Sequence, residues 1–361
     1  MDAFRVSAEI DFSNLRHNLS VVRRAAPGAK ILAMVKGNAY GHGMVTVAKH
    51  LRDVDYFGVV GIEAAIALRH SGVIQPIVLV NGFQSQKELE LMLEHHIDTV
   101  VFDLIQIKQI AKINLNQAIK IWIKIDTGMH RLGFPPQEVS EAYNLLKTCP
   151  QVADILFMTH FSDADKEDSL SVKKQLGIFL NLINNYKNLK SAANSGALLQ
   201  YPESQLDIVR PGLILYGASP CKEKSAEDLG LKPVMTLRSK IISLHCLEVG
   251  ERVGYGSTWR ALRKTNLAVI SIGYGDGYPQ LAAEGTPVLI RGKRAWLAGR
   301  VSMDSITVDV TDISGVSLGD EVVLWGEGLP IEEVALAMGA SPYGLLTGVT
   351  SRVSMDLKEI A

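Results

Sequence analysis

The feature that most narrows the fold of this chain is a rhythm in its first two thirds. Short apolar, β-branched runs recur at 31–35, 56–60, 77–80, 99–102, 119–125, 155–158, 189–193 and 206–209. Between them lie helical patterns such as EAAIALRHSG (63–72), QKELELMLEHH (86–96) and SLSVKKQLGIFLNLINNY (169–186). A strand that is apolar on both faces has to be covered on both faces. Helices alternating with such strands supply the cover, which is the arrangement of a parallel sheet. Eight such units in about 200 residues is the count of a (β/α)8, or TIM, barrel. A doubly wound open sheet is the competing architecture.

After about residue 231 the texture changes. Strand-like segments at 234–247, 266–273, 286–299, 304–310 and 320–326 follow one another across glycine-rich turns, and helical periodicity returns only at 331–339. This pattern predicts a second, mainly antiparallel β domain. The barrel is therefore expected at 11–231 and the β domain at 232–361, with the alternating opening segment 3–10 joining the latter. The chain's 361 residues suit that plan, a barrel of about 250 residues plus a smaller partner.

Charge and cysteine content exclude several function classes. Lys and Arg number 37 against 38 Asp and Glu, so no overall field favours nucleic acid or an anionic membrane. The three cysteines, Cys149, Cys221 and Cys246, are widely spaced and form neither a disulfide framework nor a metal-ligand pattern. No run approaches the ~18 apolar residues of a transmembrane helix, and the N-terminus has no apolar signal core. A soluble cytoplasmic protein is expected.

In a (β/α)8 barrel, chemistry sits at the carboxyl ends of the strands. The first run ends in Lys36, the fifth runs into KIDTGMHRLGF with Asp126 and Arg131, and the sixth leads to His160. The seventh ends at Asn194 and Ser195, the eighth at Arg210. Taken singly, each has a plainer reading: a solvated lysine, a structural ion pair, a core histidine, a helix cap. Packing alone, however, does not require charged groups on successive strand ends. The loops after strands seven and eight are a frequent phosphate site on this fold. Ser195 offers a hydroxyl there, Gly212 allows close backbone approach, and Tyr40 adds a phenol. A lysine facing a phosphate site points to a phosphorylated carbonyl held as a Schiff base, of which pyridoxal phosphate is the common case. A class I aldolase, with a Schiff-base lysine and no cofactor, stays open on these residues.

The stretches AMVKGNAYGHG, KIDTGMHRLGF, THFSDAD, ANSGA, VRPGLILYG, VGYGSTW, IGYGDGY, GRVSMDSITVDV and SPYGLLTGVTSRV occur in that order from about residue 33 to 353. Together they closely resemble bacterial alanine racemases, fold-type III pyridoxal-phosphate enzymes. The resemblance implies that Lys36 carries the cofactor as an internal aldimine. It implies that Tyr40, Ser195, Gly212 and Tyr343 hold the phosphate, with His160 and Asn194 also lining the cofactor site. Arg210 would face the pyridine nitrogen, and Arg131 the phenolic oxygen and the substrate. Tyr255 resembles the second catalytic base, reaching the lysine of a partner subunit in a homodimer. Met303 and Asp304 resemble the segment that receives the substrate carboxylate, and Tyr274 an entrance-gating tyrosine. Lys124 matches a position carbamylated in some members. Without the resemblance, Tyr255 and Tyr274 read as aromatics in glycine turns, and Met303 as strand packing.

Racemising an amino acid requires removing the α-proton from one face and returning one to the other. Two fixed bases, Lys36 and Tyr255, would do this without either group swinging. Each needs a depressed pKa, because unperturbed values near 10 leave both protonated at neutral pH. The family arrangement connects Tyr255 through His160 to Arg210. A guanidinium can only donate, so Arg210 would keep the ring nitrogen unprotonated and favour proton transfer over transamination or decarboxylation. The expected function is alanine racemisation, supplying D-alanine for peptidoglycan. Rival readings are a serine or broad-specificity racemase, a fold-type III amino-acid decarboxylase and a non-catalytic pyridoxal-phosphate carrier.

Overall fold

The structure is a computed structural model that describes residues 5–113 and 117–358. Strands Lys30–Met34, Tyr56–Val59, Ile77–Leu79, Ile97–Val101, Ile119–Lys124, Val152–Met158, Lys190–Ser191 and Ile208–Val209 pair in parallel with their sequence neighbours. The last of them pairs back onto the first, Lys30 opposite Ile208 and Ile31 opposite Val209. The remaining seam is closed by Asp207 N–H donating to Lys190 O (3.2 Å), Arg210 N–H donating to Ala193 O (2.9 Å) and a bridge between Asn194 and Arg210. The sheet is thus a closed (β/α)8 barrel, and the open doubly wound alternative is set aside.

Local chemistry explains the helix starts. Asp11 caps helix Phe12–Ala25 by accepting from the N–H groups of Ser13 (2.8 Å) and Asn14 (3.0 Å). Ser85 and Asp103 cap Gln86–Glu94 and Leu104–Lys112 in the same way. Several strands differ in extent from the apolar runs. The run at 99–102 is strand Ile97–Val101, because buried Asp98 interrupts the apolar pattern without interrupting the pairing. The run at 206–209 shortens to Ile208–Val209, since Leu206 sits at a φ of 45°.

The second sheet has eight strands, ordered from Thr265–Ile270 through Ile306–Asp309, Lys293–Leu297, Pro287–Ile290, Glu321–Trp325, Met235–Leu247 and Val6–Asp11 to Ser354–Lys358. Its pairings are antiparallel except Val6–Asp11 with Ser354–Lys358. Met235–Leu247 is long and bulged. Its first half pairs with Glu321–Trp325 and its second half with Thr265–Ile270, curling the sheet back on itself. The opening segment does pair into this sheet, as Val6–Asp11; residues 3 and 4 of the expected strand lie outside the described residues.

Helix Pro342–Gly348 and strand Ser354–Lys358 were not anticipated from periodicity. The helix did have a start signal, Ser341 accepting from Gly344 N–H with Pro342 in the first turn. Among the described residues no helix is long and apolar enough to cross a membrane.

Candidate active site

The strand Lys30–Met34 ends against its neighbours: Met34 N–H donates to Pro211 O (2.9 Å) and Val35 N–H to Gly58 O (3.0 Å). Immediately after Lys36 the backbone turns left-handed for four residues. Gly37, Asn38, Ala39 and Tyr40 have φ of 59°, 54°, 54° and 51°. A left-handed residue other than glycine costs about 1–2 kcal/mol, so three in succession have to be held by their surroundings. The turn places Lys36 and Tyr40 on the same cavity.

That cavity, of about 260 Å³, opens at the carboxyl ends of the barrel strands. Lys36, Tyr40, Lys124, Arg131, His160, Asn194, Ser195, Arg210, Gly212 and Tyr343 line it, with Met34, Val80, Asn81 and Met158. Asn81 was missed in the sequence, although it stands two residues beyond strand Ile77–Leu79, where the strand-end argument would have found it. Tyr255, Tyr274, Met303 and Asp304 do not line the cavity of this one chain. Tyr255 is 72% exposed, in a turn between Gly254 and Gly256 that is supported by Arg252 donating to Ser257 O (2.8 Å). Asp304 is tied to Arg352 at 2.5 Å. Asp126, expected at the same rim, does not line the cavity. Its carboxylate accepts from His130 Nδ1 (3.0 Å) and from the N–H groups of Gly128 and His130 (both 3.0 Å).

The cavity is strongly electropositive. Arg210 is buried and donates to Ser191 Oγ (2.6 Å), Thr159 O (2.6 Å) and Ala192 O (3.0 Å), all of them uncharged. Burial lowers its pKa to about 10, which still leaves it charged at neutral pH. Its Nη2 also lies 3.5 Å from His160 Nδ1. Since a guanidinium only donates, that nitrogen accepts and the histidine's proton belongs on Nε2. Burial, then Arg210, Lys124, Arg131 and Lys36, hold His160 well below its ordinary pKa, so the imidazole is neutral. Burial, then Arg210, Arg131 and Lys36, bring Lys124 down to about 8. Lys36 as a residue is exposed, yet its amine end suffers the same influences: loss of water, then Arg131 and Arg210, lower its pKa. Two lysines and two arginines therefore share one cavity wall, and the nearest carboxylate, Asp126, is engaged elsewhere. Such a site favours an anion and raises the fraction of uncharged lysine amine.

At one end the wall is shaped for close contact. Ser195, the first residue of helix Ser195–Gln200, accepts from Gly212 N–H at 2.8 Å. A Cβ on Gly212 would stand 2.4 Å from the Tyr40 hydroxyl, so only glycine fits. Asn194 caps the helix by accepting from Ala197 N–H (3.0 Å). Tyr40 stacks on Tyr216 with ring centroids 4.8 Å apart, and Tyr343 stands 6.0 Å away on the other side.

Family models match both parts of the chain, "Alanine racemase, N-terminal domain" over residues 10–220 and "Alanine racemase, C-terminal domain" over 234–357. The chain belongs to the alanine racemase family. The alanine racemase of Vibrio parahaemolyticus is 46% identical over 348 residues, covering 96% of this chain and 97% of that protein. The biosynthetic alanine racemase of Pseudomonas aeruginosa superposes with a TM-score of 0.96 at 40% identity, over 99% of this chain and 100% of that one. A Bartonella henselae alanine racemase, solved with covalently bound pyridoxal phosphate, superposes with a TM-score of 0.89 at 28% identity, over 98% of this chain and 99% of that one. Alanine racemase family membership makes the chain an isomerase. It sets aside the decarboxylase and the aldolase, because the family models and relatives are alanine racemases, and the single-domain carrier, because they match in both domains.

Proposed function

We propose that this chain interconverts L- and D-alanine with pyridoxal 5'-phosphate held on Lys36, in a cytoplasmic homodimer that supplies D-alanine for peptidoglycan. The observation that carries the reading is the cavity wall itself: a lysine of lowered pKa beside an anion cradle, with two arginines and a second lysine and no free carboxylate. Those residues fit a phosphorylated aldehyde. Ser195, the Gly212 backbone, Tyr40 and Tyr343 would hold its phosphate, with Asn194 supporting that end and His160 beside the ring. Arg210 would meet its ring nitrogen, and Arg131 its phenolic oxygen. When bound, the group supplies an aldehyde that condenses with amines and a ring that acidifies the C–H next to the captured nitrogen.

The chain's own groups do the rest. Lys36, whose lowered pKa raises its uncharged fraction, would take or return the proton on one face of Cα. The partner's copy of Tyr255 would serve the opposite face; in this chain the tyrosine is exposed on the β domain and does not line its own Lys36 cavity. His160, neutral with its proton on Nε2 and 3.5 Å from Arg210 through Nδ1, would link that phenol to Arg210. Arg210 would donate to the ring nitrogen and, as a group that only donates, would leave it unprotonated, which favours return of the proton to Cα over other outcomes. Met303 and Asp304 would receive the substrate carboxylate, Tyr274 would gate the entrance, and Lys124, whose neutral fraction is raised, is the candidate for carbamylation. The barrel at 11–231 thus serves cofactor binding, and the β domain at 232–361 serves dimerisation and the second base.

The test is direct. Purified protein with pyridoxal phosphate and L-alanine is resolved on a chiral column, and Cα exchange is followed in deuterated solvent. D-alanine with deuterium at Cα and no gas release is expected; an absence of both products would overturn the proposal. A second run with L-serine measures how strictly the site holds to a methyl side chain.

A further inference from the structure

The left-handed turn at Gly37–Tyr40 has a brace that the reaction does not use. His42 is fully buried, and its Nδ1 lies 2.8 Å from Tyr40 O and 3.0 Å from Ala39 O. Both partners are carbonyl oxygens and only accept, so Nδ1 carries the proton and is shared between them. Those carbonyls belong to two of the three strained non-glycine residues. His42 N–H adds a bond to Ala39 O (3.1 Å), and Gly43 N–H one to Asn38 O (3.0 Å). The imidazole ring also packs on Tyr216, centroids 4.6 Å apart, and Tyr216 is the ring on which Tyr40 stacks. Tyr216 is anchored in turn, its hydroxyl donating to Met34 O at 2.9 Å.

We propose that His42 is a positioning residue that locks the left-handed turn and so sets the Tyr40 hydroxyl against Gly212 for binding the anionic end of the ligand. This rests on the reading of Tyr40 as a phosphate-holding group. Two features separate the role from bulk packing. Burial holds His42 neutral, its pKa down to about 4, so it acts through its N–H and its ring and not through a charge. Its Nε2 has no hydrogen-bond partner among the described residues, so Nδ1, bonded to the two strained carbonyls, is the ring's polar tie to the turn. Replacing the ring by phenylalanine removes the orphaned acceptor together with the brace, which favours a folded variant with a looser turn. Lys36 precedes the turn, so the loss should fall on the Tyr40 end.

The experiment compares equilibrium binding of pyridoxal phosphate and of pyridoxal, which lacks the phosphate, with thermal melting as the check on folding. His42→Phe is expected to weaken pyridoxal phosphate by about tenfold or more and to leave pyridoxal within about twofold of wild type. Adding Ala39→Gly, which removes strain at a φ of 54°, is expected to restore phosphate-dependent affinity to that of Ala39→Gly alone. The double variant decides the matter even where His42→Phe alone does not fold, because glycine at 39 relieves one of the two strained positions that the imidazole braces. Unchanged pyridoxal phosphate affinity in His42→Phe, an equal loss for both ligands, or a double variant that is unfolded or still about tenfold weaker would each overturn the proposal. Failure of the wild-type protein to bind pyridoxal phosphate would instead overturn the cofactor assignment.

Discussion

Arg210 shows how a single side chain constrains a reaction. Its charge is solvated by neutral oxygens of Ser191, Thr159 and Ala192, so its remaining donor capacity is directed at the cavity and at His160. Replacing it by glutamate would place a group that can hold a proton where only a donor stood. Arg210→Glu is expected to lower racemisation by at least about a hundredfold and to give a new, persistent visible absorbance when alanine is added. An unchanged rate with no new absorbance would contradict this account. Tyr255 makes an asymmetric prediction. Tyr255→Phe should abolish Cα exchange from one enantiomer while leaving exchange from the other measurable; equal residual exchange for both would refute the two-base assignment. Legibility differed among these residues for a physical reason. Lys36 and Arg210 were readable only as members of a set, because packing alone does not require charged groups on successive strand ends. His42 was not, since a histidine between two glycines shows nothing of its burial or of the carbonyls it braces.

Elements decide whether correctly placed residues can act together. The approach of Gly212 to Tyr40 joins the end of the eighth barrel strand to the turn after the first, and it works only without a side chain at 212. In Gly212→Ala the new methyl would have to displace the phenol, an overpacking cost of about 1–3 kcal/mol. The expected result is a folded protein whose pyridoxal phosphate affinity falls roughly tenfold or more, read by equilibrium dialysis. Undiminished affinity would show that the cradle does not depend on that contact. The helices were legible from their amphipathic periodicity, as at 86–96 and 169–186, and the strands from apolar runs. Where polar residues enter a strand, as at Asp98 or Asp154, the run began late and the boundary was misjudged.

At the scale of the molecule, Asp98 marks the opposite, amino-terminal end of the barrel. Burial raises its pKa to about 6, outweighing the Lys120 N–H that it accepts at 2.9 Å and the charges of Lys120 and Arg69. A carboxyl whose pKa is higher folded than unfolded contributes stability that is fully present below the unfolded value near 3.8 and is lost as pH rises through about 6. Asp98→Asn keeps an acceptor for Lys120 and removes that loss. The variant should be more stable than wild type by about 1–3 kcal/mol near pH 8, with the gain disappearing toward about pH 4, as read by denaturant melts. No gain at the higher pH would mean that the charged form is better solvated than its burial implies. The dimer has its own test. Mixing inactive Lys36→Ala and Tyr255→Phe chains should regain about a quarter of wild-type activity, because each mixed dimer rebuilds one complete site. No regain would place both bases in one chain.

The sequence alone determined the strand–helix rhythm, the shift to an antiparallel domain near residue 231, and the identity of the groups at the strand ends. These are local properties: periodicity, capping and the change of chemistry where an apolar run stops. Tertiary structure decided that the sheet closes, because the pairing of Lys30–Ile31 with Ile208–Val209 and the bonds from Asp207 to Lys190 and from Arg210 to Ala193 together separate a barrel from an open sheet. It also decided that Asp126 turns toward His130, that four cations share a wall, and that a left-handed turn holds Tyr40 over Gly212. Apart from the Asp126–His130 contact, which spans four residues, each of these depends on atoms far apart in the chain meeting within a few ångströms, and no local pattern of residues encodes that distance.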